Sequence, residues 1–130
     1  MSHSDLPASL YTAEQARALD RIAINSGVPG FKLMQRAGHA AFDRLRQRWP
    51  DVRKLTVLCG GGNNGGDGFV VAVRAHRQGM QVQLLCIGGD DFAERLSGEA
   101  LEAWEWLQSE SVTWQLYREQ PFTGELIVDG

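Results

Sequence analysis

Hydrophobic positions along this chain fall into two alternating patterns, helical stripes and short continuous apolar runs. Residues 1–10 carry no periodicity and read as a loose leader. Thr12 to Gln15 fits a capping box, and Ala16, Leu19 and Ala23 then share one stripe until the Gly27 to Gly30 turn. A second helix is predicted over Phe31 to Arg48, with Leu33, Ala37, Ala41 and Leu45 in one apolar line that Met34 and Phe42 broaden. Leu55 to Cys59 is an uninterrupted apolar run with β-branched members, the pattern of a strand buried on both faces. Helix is predicted again over Phe69 to Gln78, with Gly79 as the residue that ends it. Then come a strand over Gln81 to Ile87, a helix over Phe92 to Gln108 and a strand over Val112 to Leu116. Leu126 to Val128 begins a fourth strand, just before the sequence ends at Gly130.

Helices followed by β-α-β-α-β-β units predict an α/β fold, a three-layer αβα sandwich around a Rossmann-like, mostly parallel sheet. Doubly wound sheets usually carry more than four strands. The pattern therefore predicts residues 11–130 to be one domain, truncated at its C-terminus. An apolar face on Leu126 and Val128, or on Ile127, would meet water, each such side chain forgoing about 1.5–3 kcal/mol of burial, so residues 1–130 alone are expected to be poorly stable and without turnover.

Between the first strand and its helix lies the segment that carries chemistry. Gly60 to Gly68 holds six glycines, Asn63, Asn64 and Asp67. Glycine costs roughly 0.5–1 kcal/mol against alanine in ordered structure, and a plain β-α turn needs only one or two, with Asp67 as a helix cap. Such a loop before a helix N-terminus suits an anionic phosphate, at the strand end where open α/β sheets bind ligands. Gly60, Gly62 and Gly65 match a GxGxxG spacing, with little specificity in so glycine-rich a stretch. No acidic residue closes the second strand, and Asp90 and Asp91 come late; no Gly-Lys-Ser/Thr is present. These absences argue against an ordinary NAD dehydrogenase and a P-loop NTPase.

Composition narrows the partners. A net charge of −3 gives no footprint for nucleic acid. Arg44, Arg46 and Arg48 cannot line one helical face and read as solvated surface. Cys59 and Cys86 sit in apolar runs and read as buried free thiols of a reducing compartment. The start is neither a signal nor a transit peptide, and no stretch is apolar enough to span a bilayer. A cytoplasmic location, with no membrane partner, is the expectation. Trp104 and Leu107 share helical spacing with Ala100 and read as core, while His39 and His76 have no partner nearby in sequence.

The segment from Gly60 to Ala72 resembles the signature of the YjeF N-terminal domain family, the NAD(P)H-hydrate epimerases. Tyr11 to Asp20 and Leu33 to Gly38 look like that family's first two helices, and Leu126 to Gly130 like the strand leading to its second glycine-rich loop. The resemblance implies that Asn63, Asn64, Gly65, Gly66 and Asp67 lie against the substrate. It also implies that Asn64 and Asp129 ligate a potassium ion (K+), which takes amide and carboxylate oxygens as hard cations do. Further ligands and an acidic residue near the reacting ring would lie beyond Gly130; within the chain, Asp67 is the catalytic candidate.

The implied activity is a metabolite-repair isomerase that interconverts the R and S forms of hydrated NADH and NADPH (NADHX and NADPHX) at C6 of the nicotinamide ring. The implied partners are that small substrate, a second copy in a homodimer, and a fused or separate ADP-dependent dehydratase. The rival readings are a non-catalytic module binding a nucleotide metabolite or a protein on the same fold, and a nicotinamide-dependent oxidoreductase.

Overall fold

A computed structural model describes residues 30–60 and 64–129, except for the side chain of Asn64 and the surroundings of Gly65. The elements are α1 (Gly30–Arg48), β1 (Lys54–Cys59), α2 (Asn64–Arg77), β2 (Gln81–Cys86), a 3-10 turn (Ala93–Arg95), α3 (Gly98–Ser109), β3 (Gln115–Leu116) and β4 (Leu126–Asp129). The leader and the Thr12 capping box lie outside the described residues. All strand pairs are parallel, in the order β3-β2-β1-β4, with Leu55 opposite both Val82 and Leu126. This is the α/β class and the parallel, Rossmann-like sheet the pattern predicts; the strand order is new.

Strand pleating divides the sheet into two faces. Leu55, Val57 and Cys59, with Leu84, Cys86, Leu126 and Val128, join one core with residues of all three helices. Helix α2 is central to that core: Phe69, Val70, Val71, Ala72, Val73 and Ala75 are all buried. A helix apolar all round has neighbours all round, here β1, β2, α1 and α3. Of the three expected layers, the sheet and this helical layer are the ones the described residues form.

Thr56 and Gln83 point to the other face, where the connection from β3 to β4 crosses. Successive strands β1, β2 and β3 step one way, so the return to β4 must cross the opposite face if every crossover is right-handed. Three hydrogen bonds pin it there, and a fourth links the two strand side chains that make them. The Thr56 hydroxyl donates to Gln83 Oε1 (2.7 Å) and accepts from the Gly124 N–H (2.9 Å), while Gln83 accepts from the Thr123 N–H (2.8 Å) and donates to the Pro121 carbonyl (3.0 Å). Thr56 is fully buried and thereby satisfied. At the other end of the strand pair, Glu125 accepts from the N–H groups of Arg53 (2.9 Å) and Lys54 (3.0 Å), which holds its carboxyl below the usual range.

Several boundaries differ from the sequence pattern. In α1 the fully buried line is Met34, Gly38, Phe42 and Leu45, with Leu33, Ala37 and Ala41 only half-buried, because Gly38 lets Val70 of α2 come close. The helix expected over Phe92 to Gln108 breaks at Leu96, which turns extended (ψ 145°), and α3 restarts after an extended Ser97. Strand β3 is only two residues long, because Val112 and Trp114 pack into the core instead of pairing. Trp104 is core, as its spacing predicts, with ring centroids 5.2 Å from Phe69 and 4.8 Å from Trp114.

Of the three arginines, Arg44 and Arg48 are exposed, but Arg46 is half-buried and donates to the Val52 carbonyl (2.7 Å), closing the α1–β1 turn. His39, without a partner nearby in sequence, meets Arg74 of α2 at 3.0 Å, and Arg74 also pairs with Asp43 at 2.9 Å.

Candidate functional site

The connections leaving β1 and entering β4 run in opposite directions, so the β1/β4 boundary is the sheet's switch point, where ligands of open α/β sheets bind. Leu58 is paired with Asp129 there, which brings the end of the last strand beside Gly60. Asp129 is exposed, and Asp67 is half-buried in the first turn of α2. Both carboxylates are near enough to Cys59 to act on it. Its thiol is held well above the usual range, first by burial, then by Cys86, Asp129 and Asp67. Burial likewise pushes the Cys86 thiol up to about 12. Both cysteines are free and buried, as expected, and protonated at neutral pH; neither can serve as a nucleophile.

Helix α2 begins at Asn64, five residues earlier than its pattern suggests. Three glycines lie in its first turns, each costing about 1 kcal/mol in propensity, and packing explains at least one of them. A Cβ on Gly66 would strike the end of the Met34 side chain and come within 3.5 Å of the Ala100 Cα. Glycine there lets the Met34 side chain of α1 lie directly against α2, and a larger residue would have to displace its tip. Gly60 differs: a Cβ on it would meet nothing within 4 Å among the described residues.

Asp67 is accordingly not the helix cap but a negative charge inside the first turn, where the free N–H groups of α2 gather. Asn63 and the side chain of Asn64 lie outside the described residues, so the pairing of Asn64 with Asp129 does too. Among the described residues no three His, Cys, Asp or Glu side chains gather as a metal site. Of the two expected ligands only Asp129 is described, an exposed carboxylate at the end of β4 whose oxygens suit a hard cation.

The sequence reading passed over the rest of this edge. The Ile87 N–H donates to the Cys59 carbonyl (2.8 Å) and the Tyr117 N–H to the Cys86 carbonyl (2.7 Å), so Gly60, Ile87 and Tyr117 continue the ladder as one row. Asp90, discounted as late, forms an ion pair with Arg118 at 2.6 Å beside that row. Only the tertiary pairing joins these residues, and no local signal marks them.

A parallel sheet of this order with helices packed on it makes the described residues a small Rossmann-like α/β domain. Residues 30–130 match the family model described as YjeF-related protein N-terminus, and the chain belongs to that family. It is 40% identical over 121 residues to the bifunctional NAD(P)H-hydrate repair enzyme Nnr of Coxiella burnetii, covering 92% of this chain and 24% of that protein. It is 44% identical over 90 residues to the NAD(P)H-hydrate epimerase of Rhodobacter capsulatus, covering 63% of this chain and 42% of that protein. A third relative, the Escherichia coli Nnr, is 42% identical over 100 residues, or 76% of this chain and 19% of that protein. The chain thus spans less than half of each of these relatives. No helix among the described residues is long and apolar enough to cross a membrane.

Proposed function

We propose that this chain supplies the dinucleotide-holding part of an NAD(P)H-hydrate epimerase, interconverting the R and S forms of NADHX and NADPHX. One observation carries the reading: the sheet brings Asp129 of its last strand to the glycine-flanked start of α2, where Asp67 sits, in a chain whose relatives bear that activity in their names.

The reaction needs little more than a held ring and a proton. The C6–O bond of the hydrate breaks as the N1 lone pair forms a planar iminium, and the departing hydroxide takes a proton to leave as water. Water then adds to the opposite face of C6 and gives a proton back, so no net proton is consumed. A positioned carboxyl group does this acid–base work, and Asp67 is the candidate among the described residues. The amides at the start of α2 would hold the pyrophosphate. Asn64 and Asp129 would hold a potassium ion, whose fixed positive charge would offset the carboxylates beside the phosphates. The companion activity would be an ADP-dependent dehydratase, fused or separate, in the cytoplasm.

The test couples the full-length protein to an S-specific dehydratase and follows loss of the R epimer, in potassium and in sodium buffers. Turnover that falls in Asp67→Asn, and a potassium requirement weakened in Asp129→Asn, are the expected results. Loss of the R epimer no faster than its spontaneous rate would overturn the reading and favour a binding module.

A further inference from the structure

Three large apolar side chains are exposed among the described residues: Ile87 at 41%, Tyr117 at 36% and Phe122 at 41%. All three gather on one edge. Ile87 and Tyr117 stand in the row that continues from Gly60, and Phe122 lies with its ring centroid 6.3 Å from that of Tyr117. The row ends at the exposed Asp90–Arg118 ion pair. An apolar shelf closed by one acid and one guanidinium has the chemistry of a nucleoside site: a face for a base, an acceptor for a ribose diol, a donor for a phosphate.

We propose that this shelf is the adenosine subsite of the substrate, and that the Asp90–Arg118 pair discriminates between a 2′-hydroxyl and a 2′-phosphate. The proposal rests on the functional reading above and extends it to substrate choice. Tyr117 and Phe122 offer their rings to the adenine over Ile87. Asp90 accepts from the free ribose hydroxyls of NADHX. Arg118 leaves Asp90 for the 2′-phosphate of NADPHX, where its planar fork fits better than a lone ammonium.

Three observations favour this occupant over a general apolar partner. First, Tyr117 lies two strand spacings from Gly60, about 10 Å, within the reach of half a dinucleotide whose pyrophosphate sits at the start of α2. Second, the turn presenting Arg118 is fixed: its N–H donates to Gln120 Oε1 (2.6 Å), and Gln120 Nε2 donates to the Leu116 carbonyl (3.0 Å). Third, the ion pair is too exposed to matter much for folding, since such pairs contribute about 0–1 kcal/mol, so its placement beside the shelf is left for a ligand to use. The glycines before Asp90 adopt φ of +148° and +87°, which turns the chain sharply at the rim of the shelf. In dinucleotide folds generally, an acid after the second strand takes the 2′-hydroxyl and a nearby arginine the 2′-phosphate; here the acid arrives four residues after Cys86.

The experiment has two arms on the full-length protein. The first titrates 5′-AMP and adenosine 2′,5′-bisphosphate while following the backbone amides of 87–90, 117–120 and 122 by NMR. The second measures kcat/KM for R-NADHX and R-NADPHX in the parent, Arg118→Ala and Asp90→Asn. Arg118→Ala should lose about 10- to 100-fold on NADPHX and on the bisphosphate, the worth of a charge-assisted hydrogen bond, with less than about twofold change on NADHX. Asp90→Asn should lose selectively on NADHX. Equal losses on both substrates, or amides that no nucleotide shifts, would overturn the subsite. A parent without turnover whose amides still shift with nucleotide would instead count against the epimerase reading alone.

Discussion

At Gly124 the connection into β4 runs hard against β1, and replacing it tests whether that contact sets the site. A Cβ built there comes within 2.7 Å of both the Leu126 carbonyl oxygen and the Thr56 hydroxyl, and nearer still to the Thr56 backbone nitrogen. Two of these atoms belong to paired backbone and cannot swing aside. Overpacking of this kind costs roughly 1–3 kcal/mol, and losing the Gly124 N–H bond to Thr56 adds roughly 0.5–1.5 kcal/mol. Gly124→Ala should therefore lose roughly 2–4 kcal/mol. With a urea m-value of about 2 kcal/mol/M, that lowers the unfolding midpoint by about 1–2 M. Fluorescence of the buried Trp104 and its neighbour Trp114 reports the transition. Gly60→Ala is the control: its Cβ would meet nothing among the described residues and its φ is not in the left-handed region. It should hold its midpoint, yet weaken dinucleotide binding if that open space receives ligand. The reasoning fails if Gly124→Ala unfolds within about 0.3 M of the parent, or if Gly60→Ala is the less stable of the two.

Other outcomes follow from the same geometry. Cys59 and Cys86 should resist a thiol reagent at pH 8 in the native protein and react at once in denaturant, because burial holds both thiols protonated; fast native labelling would contradict that. The pKa of His39 is lowered, first by burial and then by Arg74. Its unfolded form binds more protons below pH 6.5, so its contribution to stability is complete above that pH and is lost as pH falls through the folded value. Thermal melts between pH 7.5 and 5 should show this loss, reduced in His39→Gln; identical slopes in the two proteins would refute it. Trp104→Ala should cost about 3–5 kcal/mol, read as a lower melting temperature, since the ring packs against Phe69, Phe92 and Trp114.

Local pattern was enough to specify most of this fold. Short apolar runs bounded by charged or turn residues read as strands covered by other elements, so β1 and β2 were legible, and Gly79, at φ +78°, ends α2 where expected. The glycine segment drew a ligand-site expectation to the end of β1, because so much glycine has a cost that a turn alone does not require.

What the sequence could not convey were relations between distant segments. The start of α2 lies inside the glycines because contacts with Met34 and Ala100 outweigh their poor propensity, and propensity is all a local reading contains. The Thr56–Gln83–Gly124 network, Arg74 between His39 and Asp43, and the row of Gly60, Ile87 and Tyr117 each join residues far apart in the chain. Periodicity encodes which face of an element is apolar, but not what that face meets. The order β3-β2-β1-β4, which brings Asp129 to the glycine segment and leaves the aromatic shelf open beside it, emerges only when the whole sheet assembles over its helices.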